Sequence, residues 1–190
     1  MEQSELLRFV VAAVERLRLR YFVTGSTVTI FYGEPRFTND IDIVVELPST
    51  AVAEFCGQFP EEDFYVSEGA AADAVRHRSQ FNIIHPRSGL KIDVIIPTDN
   101  EFNRSRFQRA KTVRAGVDWD ATFASPEDAI VKKIQSFKEG GSDKHLRDIA
   151  GVLKTSGEVI DITYVERWAA ILQLTDIWRG IQERLRQRPE

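Results

Sequence analysis

Two aspartates stand one residue apart in Asp40-Ile41-Asp42, within a stretch where Ile41, Ile43 and Val45 alternate with Asp40, Asp42 and Val44. Alternation of that period belongs to a strand, so residues i and i+2 face the same way and the two carboxylates share one surface, about 6.5–7 Å apart at their Cα atoms. A third acid, Asp93, interrupts an apolar run in the same manner, with Ile92, Val94 and Ile96 turned to the opposite side. If the two strands are neighbours, three carboxylates converge. Three anions that close repel one another and call for a divalent cation rather than for acid–base work alone. Magnesium suits an all-oxygen set and completes its shell with water and substrate phosphates. Two such ions would clamp an in-line displacement at phosphorus, one at the attacking hydroxyl and the other at the leaving pyrophosphate. Asp40 and Asp42 would then bridge the ions, and Asp93 would serve the nucleophile side or help take its proton. Upstream, Gly25-Ser26 adds a place where backbone can approach a triphosphate closely, with the Ser26 hydroxyl and nearby amides as donors. The plain structural alternatives are a solvated strand face for the aspartates and an ordinary turn for Gly25-Ser26.

The elements that must position these residues follow from hydrophobic periodicity. Leu6, Leu7, Val10, Val14 and Leu17 recur at helical spacing within residues 3–19, which predicts an amphipathic opening helix. A short strand, residues 21–24, runs into Gly25. Residues 27–32 fit helix or strand equally, and Gly33, Pro35 and Asn39 then mark a loop before the strand at 40–46. A helix near 49–58, a weak strand near Phe64, a helix near 69–77 and strands near 80–85 and 90–96 continue an α/β alternation. Everything after Ser125 reads as helix, opened by Ser125 as the cap, Pro126 in the first turn and Asp128 three residues after the cap.

Composition bounds the remaining possibilities. A chain of 190 residues with 43% hydrophobic content can build a core without staples. One cysteine, Cys56, excludes an internal disulfide framework and a thiolate zinc site, and His77, His85 and His145 lack ligand-like spacing. The early apolar run at 9–14 is too short to span a membrane and Glu2 and Glu5 precede it, so a cytoplasmic setting without membrane partners is expected. Net charge is −4, with 9 basic and 15 acidic residues in 1–100 against 16 and 14 in 101–190, which favours an acidic metal-holding half and a mildly basic substrate-holding half.

The strings Gly25-Ser26, Arg36-Phe37-Thr38-Asn39-Asp40-Ile41-Asp42-Ile43, Ile92-Asp93-Val94 and Ser125-Pro126-Glu127-Asp128-Ala129-Ile130-Val131-Lys132-Lys133 follow one another in an order that resembles the AbiEii-like and minimal nucleotidyltransferases of the DNA polymerase β superfamily, over roughly residues 5–180. The resemblance implies an α/β fold of the α+β kind: a mixed-sheet nucleotidyltransferase core, 1–124, and a helical C-terminal region, 125–190. It also implies a nucleoside triphosphate as donor, two magnesium ions as cofactor on Asp40, Asp42 and Asp93, and nucleotide contacts at Gly25, Ser26, Thr38 and Lys133, with Arg36 a candidate for phosphate or acceptor. Many members are toxins opposed by a separately encoded antitoxin. Acceptors across the superfamily include tRNA, other RNAs, proteins and small molecules, so the acceptor does not transfer with the fold.

On the helix opened by Ser125, Ile130, Ile134 and Phe137 form the inner stripe; Lys133 lies beside it and can lean toward a triphosphate, whereas Lys132 falls nearly opposite. The segment Lys144-His145-Leu146-Arg147-Asp148-Ile149 resembles the family's Asp-Leu-x-Asp-Ile, with His145 where the first acid usually sits. Asp148 either orients Lys133 or pairs with another neighbour. Between Phe102 and Val117, Arg104, Arg106, Arg109, Lys111 and Arg114 are interleaved with aromatics and no acid, which suits phosphate contact and base stacking, or else the basic outer face of an amphipathic helix. Two other function classes fit the same residues: an inactive nucleotide- or RNA-binding relative, which would be expected to have lost one of the three aspartates, and a metal-dependent phosphohydrolase, which would release free nucleoside monophosphate.

Overall fold

A computed structural model describes residues 1–34 and 38–187. The chain divides into two compact units, one of residues 1–27 and 38–124, the other of residues 28–34 and 125–187.

The first unit is built on a seven-stranded mixed sheet. Helix α1 (Gln3–Arg16) opens the chain, with Glu2 and Glu5 closing a capping box at its start. Strand β1 (Tyr21–Thr24) leads into helix α2 (Gly25–Tyr32), whose residues from Val28 on belong to the second unit. After β2 (Asp40–Val45) come α3 (Val52–Cys56), β3 (Tyr65–Val66), α4 (Glu68–His77), β4 (Gln80–His85), β5 (Leu90–Ile95), α5 (Glu101–Arg109), β6 (Lys111–Arg114) and β7 (Asp120–Phe123). The strand order is β3-β4-β5-β2-β1-β7-β6. β2 runs parallel to β5 and antiparallel to β1, and β1 runs parallel to β7.

Register settles which residues face which side. Ile41 lies beside Ile92 and Ile43 beside Val94, while Ile83 and Phe81 of β4 continue the same rows. All six are buried. Phe55 of α3 meets Phe81 edge-on, and Phe64 packs on His85, so this apolar face carries an aromatic layer that includes Phe9 and Phe59. On the opposite face, Phe22 packs edge-on against Phe107 of α5.

The basic run between Phe102 and Val117 is not one amphipathic helix. It is helix only to Arg109, and Lys111–Arg114 is an edge strand paired with Asp120–Phe123, where β-branched Thr112 and Val113 fit a pleated ladder. The segment 27–32, ambiguous by pattern, is helical.

The second unit holds α6 (Pro126–Gly140), α7 (Asp143–Ser156), α8 (Ile162–Ile171) and α9 (Thr175–Arg186), with α6 packed against the other three. The Ser125 side chain accepts a hydrogen bond from the Asp128 amide at the start of α6, and Gly141 ends that helix in the left-handed region. Residues 28–34 belong with these helices rather than with the sheet. A Cβ on Gly33 would come within 3.0 Å of the backbone of Gly151, and the Ser156 hydroxyl donates to the Tyr32 carbonyl at 2.7 Å. One close glycine contact and a part-buried hydrogen bond therefore tie the end of α2 to α7. Among the described residues no helix is long and apolar enough to cross a membrane.

Candidate active site

In the sheet unit, Asp42 lies directly beside Asp93 across the parallel β2/β5 pair, and Asp40 lies beside Lys91 one step earlier. Neighbouring residues in register point to the same face, so Asp40, Asp42, Asp93 and Lys91 form one patch. The row through Asp42 continues to Thr24 on one side and Asn82 on the other. Backbone bonding fixes where the patch begins: the Thr38 hydroxyl and the Asp40 amide and carbonyl lie 3.4 Å apart, and the Lys91 amide donates to the Asn39 carbonyl at 3.1 Å. Thr38 is buried and holds the entry to β2.

The Lys91 ammonium lies 2.9 Å from Asp93 Oδ2 and 3.7 Å from Asp40 Oδ1. Burial disfavours its charge, but the hydrogen bond it donates to Asp93 and the fields of Asp93, Asp40 and Asp42 outweigh that, so its pKa is held above the ordinary lysine value. Asp93 is 8% exposed, and its second oxygen, Oδ1, is buried with no hydrogen-bond partner. A buried carboxylate oxygen left without a partner carries a desolvation cost. Among the described residues no three Asp, Glu, His or Cys side chains gather closely enough to hold a metal ion by themselves. The carboxylates meet on an ammonium group instead.

Gly25 sits at the end of β1 with φ +65°, and a Cβ there would lie 1.9 Å from Asp42 Oδ2. Only glycine allows the chain to turn into α2 while the Asp42 carboxylate rests against the backbone. Ser26 follows as the second residue of α2. The donor set of the patch is entirely carboxylate oxygen, one of them buried and unsatisfied, which fits a hard divalent cation.

The arginine candidates fall elsewhere. Arg106 is 5% exposed, donates to the Thr24 hydroxyl at 3.2 Å and lies over the Phe22 ring at 4.7 Å, so it holds α5 on the sheet from inside. Arg104 is exposed, pairs with Asp99, and lines a cavity of about 710 Å³ with Arg20, Glu46, Arg78 and Phe107. That cavity opens beyond the far ends of β2 and β5 and contains none of the three aspartates. Arg114 pairs with Asp120. Arg36 lies outside the described residues.

In the helical unit, Lys133 is buried and its ammonium lies 2.6 Å from Asp148 Oδ2, with side-chain exposures of 9% and 4%. Lys133 is thus one partner of Asp148. Nearby, Asp128 is fully buried and accepts hydrogen bonds from the Ser125 hydroxyl at 2.9 Å and the Tyr164 hydroxyl at 2.7 Å. Lys91 was not among the residues singled out from the sequence, although its place two residues before Asp93 on an alternating strand was the signal that it shares the aspartates' face. Tyr164 carried no comparable signal.

No protein-family model matches the chain, and no curated protein matches it. Solved structures do. The antibiotic-resistance factor ANT(2'')-Ia superposes with a TM-score of 0.54 at 14% identity, covering 98% of each chain. An antigenic nucleotidyltransferase-like protein from Paracoccidioides brasiliensis gives 0.57 at 16% identity, over 98% of this chain and 93% of its own. The lincosamide antibiotic adenylyltransferase LnuA gives 0.54 at 13% identity, over 82% of this chain and 98% of its own. The chain therefore has the polymerase-β-type nucleotidyltransferase fold, a mixed sheet flanked by helices with a helical C-terminal region.

Proposed function

We propose that the protein transfers a nucleoside monophosphate from a nucleoside triphosphate to an acceptor hydroxyl, with the chemistry carried by residues 1–124. The observation that carries this reading is the in-register pair Asp42 and Asp93 with Asp40 two residues before Asp42 on the same face. The solved proteins of this fold that match over most of their length include an adenylyltransferase, which supports the same reaction class.

Asp40, Asp42 and Asp93 would hold two magnesium ions, which supply neutralisation of the triphosphate charge and activation of the acceptor hydroxyl. Gly25 lets the backbone lie close to the Asp42 carboxylate, and the Ser26 hydroxyl with its neighbouring amides donates to phosphate oxygens. The acceptor oxygen forms a bond to the α-phosphorus, the bond from that phosphorus to the bridging oxygen breaks, and pyrophosphate leaves with the electron pair. Asp93, more buried than Asp40, receives the acceptor's proton. Lys133, Thr38, Arg104, Arg106 and Asp148 enter this reading as supports of the fold or of substrate, and Arg36 as a candidate contact to phosphate or acceptor.

The acceptor class is open between RNA or tRNA, protein, and hydroxyl-bearing small molecules; ANT(2'')-Ia has been solved with adenylyl-2''-tobramycin and LnuA with lincomycin. The AbiEii-like toxin role rests on the sequence motifs, and coexpression with the adjacent reading frame tests for an antitoxin. The enzyme reading is tested by incubating the protein and magnesium with each α-labelled nucleoside triphosphate and tRNA, bulk RNA, cell protein, lincomycin or tobramycin. Label moving to one acceptor with wild-type protein and not with the Asp42→Ala protein is the expected result. Free nucleoside monophosphate without labelled acceptor would indicate a phosphohydrolase. No magnesium-dependent nucleotide binding would make the chain an inactive relative.

A further inference from the structure

Lys91 shares the face of Asp93 because the two are separated by one residue on β5, and it stands beside Asp40 because β5 and β2 are parallel and in register. Its ammonium reaches both acids, at 2.9 and 3.7 Å, yet satisfies only Oδ2 of Asp93 and leaves the buried Oδ1 without a partner. One ammonium thus stands among three carboxylates. A lysine is suited to such a place, since its charge is a compact point on a flexible stem and can leave without disturbing the backbone. Its side chain is 31% exposed, so a path out to water is open.

We propose that Lys91 is a built-in counter-cation of the aspartate patch, holding Asp40 and Asp93 together before metal arrives and competing with the divalent cation for Asp93. This rests on the metal-site reading given above. The competition lowers the affinity for free metal, so that loading depends on a partner able to draw the ammonium away, which the anionic triphosphate of the metal–nucleotide complex supplies. The orphaned Oδ1 favours exchange in that direction, because a divalent ion can satisfy an oxygen that the lysine does not reach.

The test is manganese titration of the nucleotide-free protein by calorimetry, with melting temperature as a second readout. The Lys91→Met protein is expected to bind manganese at least about tenfold more tightly than wild type. It should also melt lower without metal, through repulsion among the carboxylates, and regain more stability on manganese addition. The Lys91→Arg protein, which keeps the charge, should bind close to wild type. Equal or weaker manganese binding by a natively folded Lys91→Met protein, with binding still lost in Asp42→Ala, would overturn the role of Lys91 and leave the metal site standing. Absence of binding in wild type and Lys91→Met alike would overturn both.

Discussion

Lys91–Asp93 in the sheet unit and Lys133–Asp148 in the helical unit are the same pair of residue types at similar distances, 2.9 and 2.6 Å, yet they differ in everything around them. The helical pair is shut away from water, with side chains 9% and 4% exposed. The sheet pair has two further carboxylates at hand, a lysine that is 31% exposed, and a buried oxygen with no partner. A buried pair of this kind is a structural fixture, because removing one charge leaves the other in a low-dielectric interior. A pair whose lysine is open to water and whose buried carboxylate keeps an oxygen without a partner is suited to hold a place for something more positive. Access to water and the unpartnered oxygen, rather than the pair itself, separate the two.

The largest effect that would break this contrast is expected from Asp42→Ala. Removing one proposed metal ligand from a partly exposed face should cut transfer on the order of a thousandfold, about 4 kcal/mol at the barrier. Urea unfolding should barely change, and a protein that melts instead would give Asp42 a structural role. Next in size, Asp148→Ala should destabilise the fold by about 3 kcal/mol, the usual cost of stranding a buried charge. The double variant Lys133→Met, Asp148→Leu should recover most of that loss in the same denaturation assay. A Lys133–Asp148 pair that proved as dispensable as a surface ion pair would erase the contrast.

Gly25→Ala sharpens the comparison from the backbone side. An added Cβ at φ +65° and 1.9 Å from Asp42 Oδ2 must displace the carboxylate, so activity is expected to fall about a hundredfold, roughly 2.7 kcal/mol. The left-handed conformation adds only about 1 kcal/mol of instability. The smallest effect concerns a buried thiol. Burial, with Glu68 nearby, pushes the Cys56 thiol up to about 11. Thiolate should then be about one part in a thousand at pH 8, and alkylation of the folded protein should be slow until denaturant is added. The raised pKa favours the neutral thiol in the folded state, so its contribution is complete at neutral pH and is lost as pH rises toward 11. Rapid labelling of native protein at pH 8 would contradict this.

Much of the sheet was legible because alternation is strong where one face is buried. Ile41, Ile43, Ile92 and Val94 marked their own side, and with it the side of Asp40, Asp42 and Asp93. The edge strand β6 and its neighbour β7 were not legible, since Lys111–Arg114 is largely exposed and its composition matches a basic helix face as well as an edge strand. The fate of Arg106 was hidden for a related reason. A pattern of arginines and phenylalanines does not reveal that one guanidinium packs inward on Phe22 and Thr24.

The sequence by itself determined which residues of the central strands share a face, where the helix capped by Ser125 starts, and that three aspartates stand on strands, because these follow from local periodicity and capping. Only the tertiary structure decided that β2 and β5 are adjacent, parallel and in register, that Lys91 rather than empty space lies between Asp40 and Asp93, and that Lys133 is spent on Asp148. Those facts depend on pairings between residues far apart in the chain, and hydrogen-bond register and burial choose such pairings only when the whole core assembles.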